Sequence, residues 1–403
     1  MPVSRRGFLR IAGAAEAAPF SGAFLSARGL EAHFAEAQTQ GQRTRPVLPP
    51  GVDEIRISSN ENPLGPGKAA LDAILGKFPE AGRYPFNSTP GDGDLVAAIA
   101  AKHKVKTENI TLGAGSQEIL KNSMRAFVST ERGGLVTALP TFENPTRFAQ
   151  RYKLPITEVR LDSALRLDVE AMTAAASQGA GLVFFNNPNN PTATVHGAAT
   201  VTDMVERIRK TSPKTVILID EAYHEYVTDP SYTTAMPLAL STPNVLVART
   251  FSKAYGMAGM RIGYAVGTAD TVKRLAGFKM PYNISVFGIA AGLAALGNPQ
   301  HLAAERTRNT EVRTFTTKFF EEMGCKAAVS QGNFLFVDIG RPAAEFRAAC
   351  ADQWVGVGRD FPPYEHNHVR ISLGTMAEMK RATDVFRAVL RPAAAAAPGG
   401  NGR

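Results

Sequence analysis

The sequence predicts an α/β protein, a domain built on a mostly parallel sheet followed by a smaller α+β domain. Three observations support this. Between about residues 109 and 266, short β-branched or apolar runs alternate with longer helix-like stretches. The runs are continuously apolar, as expected of strands covered by helices on both faces. Beyond about residue 285 the order changes to helices and then two strand-like runs.

In chain order the strand candidates are NITL (109–112), GLVTAL (134–139), GLVFF (181–185), TVILID (215–220), NVLVA (244–248) and RIGYAV (261–266). Helices are expected at 290–296 and 302–323, followed by NFLFVDI (333–339) and HVRISLG (368–374). Residues 38–50 are polar and proline-bearing, an arm rather than a core element. The tail RPAAAAAPGGNGR (391–403) is of low complexity and is expected to be disordered. The expected division is a leader at 1–37, an arm with a small-domain segment at 38–75, a large domain at 76–285, a small domain at 286–391 and a tail at 392–403.

Composition narrows the function classes. The chain has 403 residues and a net charge of +9, with 44% hydrophobic and 20% charged residues. Its Lys and Arg are scattered among acids rather than gathered in a stripe, which argues against nucleic acid as the partner. No apolar run approaches the length of a membrane span, so no membrane anchor is expected. Small anionic substrates are compatible with the basic balance.

The leader has its own pattern. SRRGFLR (4–10) precedes a small, mostly apolar stretch, and Ala35-Glu36-Ala37 is a small-x-small cleavage site before Gln38. This resembles a twin-arginine export signal, although Glu16 interrupts the apolar region. It implies a periplasmic mature chain, the alternative being cytoplasmic. In an oxidising space Cys325 and Cys350 could pair; free core thiols fit the sequence equally. His366 and His368 lie in a proline-rich loop without a third ligand nearby, so no metal is expected.

Ligands in open parallel sheets bind beyond the carboxyl ends of the strands, so the residues after each strand matter most. GAGSQEIL (113–120) follows the first run, with a helix start expected at Ser116. Gly residues ahead of a helix N-terminus make a phosphate cradle. PTFENP brings Phe142, NNPNNPT brings Asn190, DEAYHEY brings Asp220 and Tyr223, and RTFSK brings Lys253. A cradle, a ring, an amide, an acid with a phenol and an amine together fit pyridoxal 5′-phosphate. Its aldehyde needs a lysine for a Schiff base, its phosphate a cradle and a cation, and its ring nitrogen a carboxylate.

The ordered motifs SSNENPLGP (58–66), RYP (83–85), NNPNNPT (186–192), DEAY (220–223), TFSKAYGMAGMRIGY (250–264) and VRISLGT (369–375) carry a family resemblance. The chain resembles the fold-type I aminotransferases, and among them the histidinol-phosphate aminotransferases, over roughly residues 55–389. The resemblance implies a large domain with a mostly parallel seven-stranded sheet, a smaller C-terminal domain, and a homodimer with shared active sites. It further implies a transferase that moves an amino group between an amino acid, or a histidinol-phosphate-like amine, and a 2-oxo acid.

Residue by residue, Lys253 resembles the cofactor-binding lysine and proton carrier, and Asp220 the partner of the ring nitrogen. Tyr223 and Asn190 resemble the donors to the ring hydroxyl, and Phe142 the stacking ring. Ser116, Thr250, Ser252, Arg261 and the amides of Ala114 and Gly115 resemble the phosphate site. A planar guanidinium at Arg261 suits a dianion. Tyr84 resembles a tyrosine that reaches the phosphate from the neighbouring subunit. Arg370 resembles the arginine that binds the substrate carboxylate, and Arg359 one that holds a distal phosphate.

Ala193 departs from the family, which usually has Gly there, and an export signal is unusual for a histidine-biosynthetic enzyme. The alternatives to an exported aminotransferase are a cytoplasmic histidinol-phosphate aminotransferase and a decarboxylase or lyase on the same scaffold. A binding protein that keeps the cofactor without turnover would not need both Lys253 and Asp220.

Overall fold

A seven-stranded sheet organises the chain, in the order β2-β8-β7-β6-β5-β3-β4. The computed structural model describes residues 53–85 and 91–390. The expected leader (1–37) and the tail (392–403) lie outside the described residues. The strands are β2 (Ile110–Ala114), β3 (Leu135–Leu139), β4 (Ile156–Arg160), β5 (Leu182–Asn186), β6 (Val216–Asp220), β7 (Val245–Thr250) and β8 (Ile262–Gly267). Neighbours from β4 through β3, β5 and β6 to β7 run parallel, whereas β8 is antiparallel to both β7 and β2. The reversal of β8 carries Arg261, which precedes it, to the rim where the other strands end.

Sequence patterning explains most of these elements. Every residue of β5, β6, β7 and β8 is buried, which matches their uninterrupted apolar runs. Helix α3 (Ser116–Phe127) buries Ile119, Leu120, Ser123, Met124 and Phe127, one stripe at helical spacing that packs onto the sheet. Strand β4 is absent from the sequence-based set for a physical reason. It is the sheet edge, only Val159 of ITEVR is buried, and a polar edge strand lacks the apolar signature.

A second core lies under two smaller sheets. Strand β10 (Phe334–Asp338) pairs antiparallel with β12 (His368–Ser372) and with β9 (Lys326–Ala327). The first described strand, β1 (Ile55–Ile57), crosses the whole chain to pair in parallel with β11 (Val355–Val357). Phe319, Phe320, Phe346 and Phe386 fill the space beneath. This pairing brings the SSNEN segment against VRIS.

Three expectations resolve here. Cys325 and Cys350 are free thiols, Cys350 buried in this second core. His368 belongs to β12 rather than to a loop, and its ring stacks on Phe336 at 4.9 Å. At Ala193 the turn keeps the left-handed conformation that Gly favours, with φ of 58°, and the methyl is fully buried. Ala193 N–H donates to Asn189 O (2.7 Å), and its carbonyl accepts from Gln331 N (2.7 Å), which fix that conformation.

Candidate active site

The rim of the large sheet opens into a cavity of about 480 Å³. Ser116, Phe142, Asn190, Asp220, Tyr223, Thr250, Ser252, Lys253, Arg261, Arg359 and Arg370 all line it. Ala114 and Gly115 lie behind Arg261, and Tyr84 does not reach the cavity. Tyr84 is exposed and tilts against Tyr282, with ring centroids 5.3 Å apart.

Asp220 is the last residue of β6 and is buried. Its carboxylate accepts one hydrogen bond, from Ala222 N (3.2 Å), and burial pushes its pKa up to about 7. The next residue, Glu221, is locked by Arg249 (2.8 Å), Thr234 Oγ1 (2.8 Å) and Ala235 N (2.6 Å), so the strand end cannot withdraw. Tyr223 lies edge-on to Phe334, and its hydroxyl accepts from Asn60 Nδ2 (3.1 Å). Burial pushes that phenol up to about 12, so its proton stays on.

Lys253 lies in the loop after β7, with Nζ donating to Ser59 O (3.1 Å). Burial, and then the charge of Arg370, pull its pKa down to about 8. A basic group so altered in a cleft has the character of a proton carrier.

The opposite wall is a cradle. Gly115 has φ of 74° and precedes α3, the helix whose N-terminus points at the cavity. Arg261 donates to Ala258 O (2.7 Å), Ser252 Oγ (3.3 Å) and Ala114 O (3.3 Å). Thr250 Oγ1 donates to Ser252 Oγ (2.9 Å). The Ala114 N–H already donates to Glu118 Oε2 (2.6 Å), so its expected contact to a phosphate is taken within the chain.

Arg370 is buried, donating to Asn190 Oδ1 (2.8 Å) and to Ser58 O, while its Nε has no partner among the described residues. Burial pulls its pKa down to about 10. Arg359 donates to Glu143 and to Asp360 O (2.9 Å). The two guanidiniums share one ring: Phe361 lies 4.1 Å from Arg359 and 4.9 Å from Arg370.

Sequence reasoning missed Ser58, Ser59, Asn60, Asn186, Glu143 and Arg347, all of which line the cavity. Ser58 to Asn60 belong to a motif already singled out, but only the β1–β11 pairing brings them here. Glu143 was adjacent to Phe142 and carried no signal of its own.

The unmet needs of this cavity fit pyridoxal 5′-phosphate. Asp220, a buried carboxylate with one hydrogen bond and no ion pair among the described residues, suits a protonated ring nitrogen. Arg261, Ser252, Ser116 and a helix N-terminus line one side of the cavity as donors, which suits a phosphate. Lys253 is an amine with part-neutral character, suited to an aldehyde.

Residues 52–386 match the sequence profile described as aminotransferase class I and II. The chain is 34% identical to the histidinol-phosphate aminotransferase of Moorella thermoacetica, a match covering 84% of this chain and 85% of that protein. It is 33% identical to the aromatic amino acid aminotransferase of Nocardia farcinica, covering 82% and 90%. Its fold is similar to the crystal structure of histidinol-phosphate aminotransferase from Sinorhizobium meliloti in complex with pyridoxal 5′-phosphate. That match has a TM-score of 0.77 and 26% identity, covering 92% of this chain and 96% of that one.

Proposed function

The chain belongs to the family of class I and II aminotransferases, and from that premise we propose that its amino donor is histidinol phosphate, or an amine similarly ending in phosphate, and its acceptor a 2-oxo acid. It is a pyridoxal 5′-phosphate enzyme. When bound, the cofactor supplies the electron sink and the carbonyl that receives the amino group.

The remaining work falls to the chain's own residues. Lys253 Nζ would hold the cofactor aldehyde and, once freed, take the proton from the substrate carbon that bears nitrogen. With its pKa near 8, a useful fraction of this amine is neutral at neutral pH. Asp220 would keep the ring nitrogen protonated. Asn190 Oδ1 is taken by Arg370, which leaves its Nδ2 to donate to the ring oxygen beside Tyr223. Phe142 would cover the ring face, and Ser116, Gly115, Thr250, Ser252 and Arg261 would hold the phosphate.

One observation supports the donor: Arg370 and Arg359 both line the cavity and both lie over the ring of Phe361. A phosphate-ended amine and a carboxylate-bearing acceptor must be read in turn at one place, and two guanidiniums that share one ring suit both. The test is turnover of histidinol phosphate with 2-oxoglutarate by the purified, cofactor-loaded chain, beside phenylalanine, aspartate and leucine. A kcat/KM for phenylalanine above that for histidinol phosphate would reassign the donor to the aromatic class. Release of CO2 from a phosphorylated amino acid would reassign the reaction.

Two further readings accompany it. Tyr84, Met280 and Tyr282 are exposed, and Tyr84 and Tyr282 meet ring to ring, which supports a second copy covering them and Tyr84 reaching the partner's phosphate site. Sedimentation of the purified chain tests it. The Arg5-Arg6 pattern supports twin-arginine export, whereas the histidinol-phosphate reading places the enzyme in the cytoplasm. Fractionation of an Arg5→Lys, Arg6→Lys variant decides between them. Among the described residues, no helix is long and apolar enough to cross a membrane.

A further inference from the structure

Three arginines that line the cavity, Arg347, Arg359 and Arg370, differ in availability. Among the described residues Arg370 meets only neutral acceptors, and its Nε has no partner. Arg347 is held by both carboxylate oxygens of Asp360. Arg359 is held by Glu143, the residue just before helix α4 (Asn144–Arg151). Of these three guanidiniums only Arg370 lacks an acidic partner among the described residues, while Arg347 and Arg359 are each covered by one of the chain's own acids.

Resting on the reading that this cavity takes a phosphate-ended amine, we propose that Glu143 is a specificity-determining residue, an internal counter-ion that covers Arg359 until a dianionic far end displaces it. Glu143 and Arg359 are 216 positions apart, and both side chains line the cavity. Their side chains are 23% and 42% exposed, so the pair is partly solvated and can open. Arg359 keeps two other anchors when Glu143 leaves: its Nη1 donates to Asp360 O, and its guanidinium lies over Phe361. The freed cation therefore stays in place to meet the new anion.

Glu143 has little structural work to lose. Its side chain makes no cap to α4, and its other partner, Arg147, is an exposed ion pair at 3.4 Å. A neutral far end has nothing to offer Arg359 and leaves the pair closed. A phosphate brings two charges and three acceptor oxygens and outcompetes one carboxylate. The consequence falls on selectivity: every anionic far end must first displace the acid and a neutral one need not, so Glu143 lowers the advantage of a phosphate over a neutral far end.

The test uses the full, cofactor-loaded chain and calorimetric titration with propyl phosphate, which has no amine to react. Glu143→Gln should tighten its binding about two- to five-fold, the change expected from removing the charge of one partly exposed ion pair. The gain should vanish in the Glu143→Gln, Arg359→Gln double variant. The ratio of kcat/KM for histidinol phosphate to that for phenylalanine should rise by the same factor.

Unchanged or weaker propyl phosphate binding in Glu143→Gln would overturn the proposal, as would a gain that persists without Arg359. The two readings fail separately. Tightened binding without turnover of histidinol phosphate leaves Glu143 its role and removes the proposed donor. Turnover without any change in binding removes only the role of Glu143.

Discussion

Gly115→Ala is the perturbation by which the cradle is most directly tested. Gly115 adopts φ of 74° and ψ of 167°, a region open essentially to glycine alone. An added Cβ would lie 2.2 Å from Arg261 Nη2 and 2.9 Å from its Cζ, so the guanidinium must move. Moving it breaks the bonds to Ala258 O, Ser252 Oγ and Ala114 O that aim it at the cavity. The backbone strain alone costs about 1–3 kcal/mol of stability. A lost charge-assisted contact to phosphate costs about 1.5–3 kcal/mol of binding, a cofactor affinity weaker by about 10- to 150-fold. Equilibrium titration of the cofactor-free protein with pyridoxal 5′-phosphate measures it. If Gly115 acts through Arg261, the substitution should add less than about three-fold in an Arg261→Ala background. A near-wild-type affinity for Gly115→Ala, or a full loss repeated in that background, would refute the reasoning.

The other expectations concern charge and backbone. Lys253→Ala should abolish turnover yet leave cofactor binding measurable, and borohydride should fix the cofactor on a peptide containing Lys253; label on another lysine defeats the assignment. Asp220→Asn should slow turnover at least about 100-fold, because a neutral amide cannot hold the ring nitrogen's proton. In the cofactor-free protein the same substitution should raise Tm by about 2–5 °C at pH 8. The sign follows from linkage: the folded pKa of about 7 exceeds the ordinary carboxylate value, so ionising Asp220 destabilises the fold as pH rises towards and through 7. The Tm gain should shrink towards pH 4, and a Tm loss at pH 8 would contradict it. Ala193→Gly should change stability by less than about 1 kcal/mol, because relief of left-handed strain is offset by the lost buried methyl and a freer unfolded chain. Urea unfolding checks that balance.

The strands and the residues that stand at their ends were legible in sequence because both are local properties. An apolar run such as VILI implies burial, and Asp220 ends that strand by chain adjacency alone. The same holds for Lys253 beyond β7, for Ser116 at a helix start, and for Asn190 in its turn. The edge strand β4 was not legible, since an exposed edge leaves a polar sequence. Ala193 could be flagged as an oddity, but only its partners Asn189 and Gln331 show that the left-handed turn survives without glycine.

What the tertiary structure alone decided is everything that depends on strand direction and distant pairing. Arg261 reaches the rim because β8 runs backwards, which nothing in RIGYAV announces. Asn60 meets the hydroxyl of Tyr223, Arg370 meets the carbonyl of Ser58 312 positions away, and Glu143 covers Arg359. Such contacts follow from which apolar faces bury together across the whole chain, as when β1 docks on β11. Local propensity contains no term for that choice, so residue types could be assigned to a cofactor from the sequence, while the arrangement at the substrate's far end could not.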